Sequence, residues 1–511
     1  MNMDYIWISL LLITILSSKC IANDCIPYYV ENEVIACVCN ATYCDGLPED
    51  RPEVPELGSS YWYVSNKQGL RMKVSKVKFN NCANISSDAT LTLDRTKKYQ
   101  TILGFGGAFT DTNGLKIAKL SPAVQKQLIR AYYDPKCGSK YTLGRIPIAG
   151  SDFSTRIYTY DDIANDTSMK HFSLTKEDYD YKIPYAKEAL SLNPDTLFLS
   201  AAWSVPFWMK SNDDGLTFLK EEYYQTYADY IIKFLDEYKK NGLDIWAVST
   251  GNEPLTAYIF KLPYLSMGWT PETMANWAGK YLGPTLKSST HDKTLILVHD
   301  DNREVLPEFV EPTFKDKDVA KYVAGTAVHW YNDSITSPNR LNELHDEFPD
   351  KFILMTEASI GPPIWDTPKV KSESWQRGER YILDIIQQLN HWSIGWVDWN
   401  LALDKTGVPN LVNISLDAAI IVNPETDEFY KQPMYYAIQH VSRFVDRGSV
   451  RISVTDTDTV KAAAFLTPSK ETVIVLYNRE TSTKHVVLKD LQKGTLCLEL
   501  SPQSMNTLKY N

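Results

Sequence analysis

Beyond its first 22 positions the 511-residue chain has no run of 18 apolar residues, so nothing there reads as a membrane-spanning helix. Nor is there an excess of basic residues. Against 63 Asp and Glu stand 53 Lys and Arg, a formal net charge of -10, which argues against nucleic acid as a partner because phosphate neutralisation needs a basic face. The absence of a His-Glu-x-x-His pair leaves no metal pattern, and the absence of a Gly-x-Ser-x-Gly elbow disfavours serine-hydrolase chemistry; no cofactor is expected. A disordered tail and a repeat array are also missing. The 44% hydrophobic and 23% charged fractions are those of a globular chain, and its length asks for one large domain plus something smaller.

What is present begins with an apolar stretch, Ile6 to Leu16, too short to span a bilayer and followed by small Ala22. It reads as a signal peptide over 1–22, although a basic leading region is missing. Five Asn-x-Ser/Thr sequons, at Asn40, Asn84, Asn165, Asn332 and Asn413, agree with entry into a secretory lumen and are the expected glycosylation sites. The same oxidising compartment makes Cys25, Cys37, Cys39 and Cys44 two disulfides, in any of three pairings, rather than a zinc site. Cys82, Cys137 and Cys497 remain once Cys20 is removed with the leader, so at least one thiol is expected to be free or to pair outside the chain.

From about residue 98 to 448, eight short apolar runs alternate with helical patterns: 101–105, 141–148, 196–202, 244–249, 294–298, 323–329, 351–355 and 394–397. Ser121-Pro122 and Thr270-Pro271 are helix-start signals between them. Eightfold strand–helix alternation is the pattern of an α/β (β/α)8 TIM barrel. The flanks, 55–97 and 449–511, alternate with period two and lack helical patterns, so both termini are expected to meet in one accessory β-sandwich. Residues 23–54 form a small disulfide-bonded β element, with Pro48, Pro52 and Pro55 marking a linker.

Two glutamates stand where barrel chemistry is done. Glu253, in Asn252-Glu253-Pro254, follows the fourth run, and Glu357, in Thr356-Glu357-Ala358, ends the seventh. Glycoside hydrolysis needs two such carboxyls, one to protonate the leaving oxygen and one to attack or activate water. Either glutamate alone is most often a surface carboxylate; their joint placement is what carries the reading. Arg145, at the end of the second run, is a candidate cation for keeping Glu357 ionised, or else a structural ion pair. Other run ends supply Asp152, Trp203, His329, Trp330, Tyr331, Trp396, Asp398 and Trp399, some of which must be core. Trp399 rather than Trp396 is expected to face the site, and His329 is equally a satisfied core histidine. The long loops after the fourth, seventh and eighth runs carry Phe260, Leu262, Leu265, Trp365, Leu411 and Ile414, apolar surface that a sugar alone does not need.

Five runs carry a resemblance: Cys37-Val-Cys-Asn-Ala-Thr-Tyr-Cys-Asp45, Gly104-Phe-Gly-Gly-Ala108, Gly325-Thr-Ala-Val-His-Trp-Tyr331, Gly395-Trp-Val-Asp-Trp-Asn-Leu-Ala-Leu403 and Phe429-Tyr-Lys-Gln-Pro-Met434. Together they resemble glycoside hydrolase family 30, in its glucosylceramidase branch, over essentially the whole chain after the leader. The resemblance implies a retaining β-glucosidase that splits glucosylceramide into glucose and ceramide, with Glu253 as acid/base and Glu357 as nucleophile. It implies glucose contacts for Asp152, Trp203, Asn252, Tyr331 and Trp399, to which the strand-end reading adds His329 and Arg145. It further implies the pairings Cys25 with Cys37 and Cys39 with Cys44, a lysosomal or secreted location with peripheral membrane association, anionic phospholipid and a saposin-type activator as partners, and a homodimer.

The sequence departs from the family around the nucleophile, where Ser359 stands in place of a cysteine and Thr356 in place of a serine, and at Ile414, which replaces a sugar-reaching asparagine. Its remaining cysteines also differ, and Cys82 and Cys497, one in each half of the β-domain, are expected to pair. Two other readings remain at this stage: a secreted family 30 glycosidase acting on a polysaccharide, and a non-catalytic glycolipid-binding relative. Retention requires the two carboxyls to lie about 5 to 5.5 Å apart.

Overall fold

The eight apolar runs become eight parallel strands: β1 Gly104–Ala108, β2 Leu143–Ile148, β3 Leu197–Ala202, β4 Ile245–Ser249, β5 Leu295–Asn302, β6 Val323–His329, β7 Phe352–Glu357 and β8 Ser393–Asn400. They pair in sequence order and β8 returns to β1, closing the barrel. Closure has a side-chain cause. One small or branched residue from each of seven strands (Leu143, Leu199, Ala247, Leu297, Ala327, Leu354, Val397) meets in a single buried cluster, so the lumen is packed and only the strand ends are left to do chemistry. The computed structural model describes residues 23–30, 33–47, 54–80, 82, 86–211, 217–259, 265–361 and 374–511. The leader, Asn84, Pro48, Pro52, Phe260, Leu262 and Trp365 lie outside them.

Amphipathic stretches fold as helices over the outer face. Helix Pro122–Tyr133 starts on Pro122, and helix Pro271–Trp277 is closed by a capping box in which Thr270 and Thr273 bond each other's backbone N–H. Helix Ser374–Asn390 buries Trp375, Tyr381, Ile382, Ile385, Ile386 and Leu389 along one side, the spacing read in the sequence.

Strands from both termini interleave in one nine-stranded sheet. Its order is 494–500, 484–490, 89–101, 450–454, 460–466, 472–478, 504–510, 59–66, 73–78, so neither terminal segment has a complete sheet of its own. Cys82 joins Cys497 across this region, and the N-terminal cysteines pair 25 with 37 and 39 with 44. Cys137 is disulfide-bonded as well, and no described cysteine is free.

The N-terminal cysteine element is not independent of the barrel. Its hairpin, Pro27–Val30 and Glu33–Cys39, is extended by Glu428–Lys431, Ile420–Asn423 and Ala402–Asp404 from the segment after β8. Tyr28 stacks on Tyr430 at 4.6 Å, and Lys431 reaches the Asp45 carboxylate at 2.6 Å. A two-stranded hairpin is marginal alone, and these three strands supply the surface it needs.

Candidate active site

Register sets the site. His329 is the β6 partner of Glu357 on β7, so an imidazole and a carboxylate leave adjacent strand ends side by side. Glu253 arrives from beyond the end of β4 through a contorted turn: Gly251 has φ 144° and Glu253 itself φ 44°. Two backbone hydrogen bonds hold that turn, Asn252 N–H to Ala202 O and Glu253 N–H to Asp300 O, both 2.9 Å, tying it to the ends of β3 and β5. A left-handed glutamate persists only where its surroundings over-determine it. A carboxylate oxygen of Glu253, one of Glu357 and a ring nitrogen of His329 consequently lie within 4.8 Å of one another.

The two carboxylates are held differently. Glu357 accepts from two donors, Arg145 Nη1 on one oxygen and the Tyr331 hydroxyl on the other at 2.6 Å. Glu253 Oε1 meets His329 Nδ1 at 2.9 Å. The opposite ring nitrogen of His329 meets Asp300 Oδ1 at 3.1 Å, so both nitrogens face carboxylates and both must donate. Burial works against that imidazolium, but Glu357, Asp300 and Glu253 outweigh it and raise His329 to about 10. Burial pushes Glu357 upward and Glu253 adds to the rise, while His329 and Arg145 pull against it.

Asp300 ties these groups together and was not read from the sequence. It accepts from Arg145 Nη2 at 3.0 Å, His329 and Thr356 Oγ1 at 2.6 Å, contacts that overcome burial and hold its carboxyl well below the usual range. The pairing of β5 with β6 slips between His299 and Asp301, leaving Asp300 as the extra residue with φ 53°. Such a bulge re-aims a side chain that strict alternation would point elsewhere. Its signal was available in outline, since Asp300 and Asp301 follow the fifth apolar run as Glu253 follows the fourth.

Of the remaining strand-end residues, Trp203 and Trp399 stack at 5.0 Å, with the Arg145 guanidinium 5.0 Å from the first ring and 5.4 Å from the second. Asn252 Oδ1 accepts from Arg145 Nη2 at 2.7 Å. Asp152 has a buried Oδ1 without a donor; burial, with the Glu357 and Glu253 charges, raises its pKa well above the carboxylate range. Trp330, Trp396 and Asp398 turn away: the indoles donate to Ser359 O and Asp384, and Asp398 accepts from Tyr381. Ile414 packs against the cluster of Trp203, Trp399, Phe153 and Leu416, so an apolar side chain lies beside the aromatic wall. The only described groups of three or more His, Cys, Asp or Glu close enough to hold a metal are the Glu253–His329–Glu357 set and Cys39, Cys44 and Asp45, of which the two cysteines are a disulfide.

Replacing Asp300 by Asn is expected to lower kcat by about 100-fold with KM within about threefold, and to destabilise the fold through the uncompensated Arg145 and His329 charges. With less anion beside it, His329 deprotonates at lower pH, so its imidazole NMR titration moves down. A purely structural role would leave that titration in place.

Comparisons with known proteins bear on the same residues. The Glycosyl hydrolase family 30 TIM-barrel domain profile matches residues 102–445, and the family 30 beta sandwich domain profile matches 448–508. Lysosomal acid glucosylceramidase of Mus musculus is 40% identical over 489 residues, 93% of each chain. Among solved structures, SrfJ from Salmonella typhimurium superposes with a TM-score of 0.82 at 27% identity, covering 89% of this chain and 99% of its own. The endo-β1,6-glucanase BT3312 gives 0.79 at 27% identity over the same shares.

Proposed function

The chain belongs to glycosyl hydrolase family 30, and from that premise we propose that it is a retaining β-glucosidase that hydrolyses glucosylceramide to glucose and ceramide. The observation that carries the chemistry is the facing pair, Glu253 and Glu357 with carboxylate oxygens inside 4.8 Å. An inverting pair stands about 6.5–9.5 Å apart to admit a water, and the close approach of these two carboxylates supports the retaining reading.

The steps follow from how each carboxylate is held. Arg145 and Tyr331 fix both Glu357 oxygens, which suits an anion aimed at the anomeric carbon; Glu253, with one described donor, carries the proton. Glu357 attacks the carbon as Glu253 protonates the glycosidic oxygen, so ceramide leaves with its hydroxyl and a glucosyl ester forms on Glu357. Glu253, now a base, takes a proton from water; the hydroxide attacks from the same side and releases β-glucose and the Glu357 carboxylate. Asn252, its carbonyl engaged by Arg145, offers its amide hydrogens to a sugar hydroxyl. Asp152 supplies a further hydrogen-bonding group, and Trp203 and Trp399 an aromatic wall.

A lipid aglycone accounts for the rim. Phe207, Ile259 and Ile335, on the loops after β3, β4 and β6, are 44%, 67% and 84% exposed, placing apolar groups around the mouth where a bilayer would meet it. Among the described residues no helix is long and apolar enough to cross a membrane. Peripheral association in a lysosomal lumen, helped by anionic phospholipid and a saposin-type activator, fits this surface, and a homodimer remains part of the proposal.

Stability should favour an acidic compartment. Burial raises Asp301 and Asp398 to about 8 and Asp333 to about 9, and lifts Asp152 as well. Folded carboxyls that stay protonated where unfolded ones ionise lose stability as pH rises from about 4 to 8. The His329 contribution, full below about 6.5, is lost as pH climbs toward 10. Buried His299 and His440, held to about 4 and 3, act oppositely, but only below about pH 6.5, whereas the carboxyl loss continues to about 8. Thermal unfolding is expected to be latest near pH 5 and about 5–10 °C earlier at pH 7.5. A midpoint that rises with pH over this range would contradict the burial of these groups.

The functional test is turnover of fluorescent glucosylceramide in vesicles at pH 5, with and without anionic lipid. Ceramide release, faster with anionic lipid and with β-glucose as first product, is expected. Activity on β-1,6-glucan oligosaccharides alone would favour the polysaccharide reading, and lipid binding without turnover the non-catalytic one.

A further inference from the structure

Two aspartates are neighbours at the β5 bulge, and their side chains serve different partners. Asp300 bonds Arg145, His329 and Thr356, whereas Asp301, only 2% exposed, reaches the segment that carries Glu253. Asp301 Oδ2 accepts the Leu255 N–H at 3.0 Å, and Oδ1 accepts from Asn302, its backbone N–H at 2.7 Å and its Nδ2 at 3.2 Å. All three partners donate, so the position calls for two acceptor oxygens.

Where Leu255 stands gives that contact its weight. Glu253 has φ 44°, and Pro254 after it has no N–H to give, so the first amide hydrogen beyond the glutamate is that of Leu255. The Glu253 N–H ends on Asp300 O at 2.9 Å and the Leu255 N–H on the Asp301 carboxyl, so two consecutive residues of β5 grip the turn on both sides of the glutamate. Thr256 takes the Glu253 carbonyl through its N–H at 3.0 Å and its Oγ1 at 2.7 Å, and leaves the Leu255 N–H to Asp301. Burial and the Glu253 charge raise Asp301 to about 8, so the two carboxyls also lie in each other's field.

We propose that Asp301 is a positioning residue for the acid/base, holding the Glu253–Leu255 turn so that the Glu253 carboxyl meets the glycosidic oxygen. This rests on the retaining-glucosidase reading. Acting through Glu253, Asp301 matters where a proton must be delivered to the leaving group, and little where that group departs unaided.

The test is steady-state hydrolysis of phenyl and dinitrophenyl β-glucosides by the native chain and by Asp301→Asn. Asparagine keeps the shape but sets its amide hydrogens against either the Leu255 N–H or the Asn302 donors, so one of the two grips is lost. The ratio kcat/KM reports formation of the glucosyl-enzyme, a step in which phenol must be protonated as it leaves and dinitrophenol need not be. It should fall about 30-fold for the phenyl glucoside and stay within about threefold for the dinitrophenyl glucoside. For the latter, kcat and KM should fall together, because the second step still needs Glu253 as base. A merely structural role lowers kcat/KM alike on both substrates; equal losses, or none, would overturn the proposal.

Amide hydrogen exchange, resolved to single residues by fragmentation mass spectrometry, reads the same contact without turnover. Leu255 should be protected in the native chain and exchange at least about tenfold faster in Asp301→Asn. Fast exchange at Leu255 in the native chain overturns the proposal whether or not the variant folds. Protection of Leu255 that is lost in the variant, with neither glucoside hydrolysed by the native chain, would remove the glucosidase reading and leave the grip of Asp301 on the turn standing.

Discussion

Glu357→Gln is expected to abolish hydrolysis, by more than about 10⁴-fold in kcat, while the fold persists. The amide keeps the volume and still accepts from Tyr331 or Arg145, the donors that hold the native carboxylate. What it loses is the anion that forms the glucosyl ester. Because Arg145 also bonds Asn252 and Asp300, the guanidinium retains partners and the site should not collapse. Two measurements separate chemistry from folding. The unfolding midpoint should stay within a few degrees of the native value, and a mechanism-based glucosyl label should modify the native chain at Glu357 and leave the variant unmodified. Labelling of the variant at another carboxylate would remove Glu357 from the nucleophile's role. A smaller variant, Glu357→Gly, should accept azide in the vacated space and yield the α-glucosyl azide.

Much of the barrel was legible because its signal is local. Each strand is a short apolar run between amphipathic segments, and the ends of the fourth and seventh runs place Glu253 and Glu357 without knowledge of contacts. What escaped depends on pairing between distant segments. The bulge that turns Asp300 inward is a property of β5 against β6, and no alternation within 294–302 announces it. The cysteine hairpin looked self-contained because its disulfides are local; its other three strands come from 402–431, brought there by closure of the barrel. Trp396 and Trp399, three positions apart on β8, were correctly expected to face differently, since strand alternation decides that without tertiary information. Ile414 marks the limit of local reading, because only its packing against Trp203 and Trp399 shows that the substitution reaches the aromatic wall.

The second large effect belongs to Glu253. Glu253→Ala is expected to slow glucosylceramide hydrolysis by about 10³-fold or more, since ceramide is a poor leaving group that must be protonated as it departs. An activated aryl glucoside needs no such help in the first step, so its glucosyl-enzyme should form at a rate near native and then accumulate, with a burst followed by slow turnover. The second step fails because no base remains to deprotonate water. Azide needs no base, and the alanine leaves space on the face where Glu253 stood, opposite the glucosyl ester on Glu357. It should therefore restore turnover of the aryl glucoside and give β-glucosyl azide, two inversions at the anomeric carbon amounting to retention. An α product would exchange the roles of the two glutamates. Loss of His329's partner adds a second signature: without Glu253 Oε1 the imidazolium keeps only Asp300 as hydrogen-bonded counter-charge. The acid/base limb should disappear from the pH profile of the azide reaction, leaving the ionisation of Glu357 as the limb that remains.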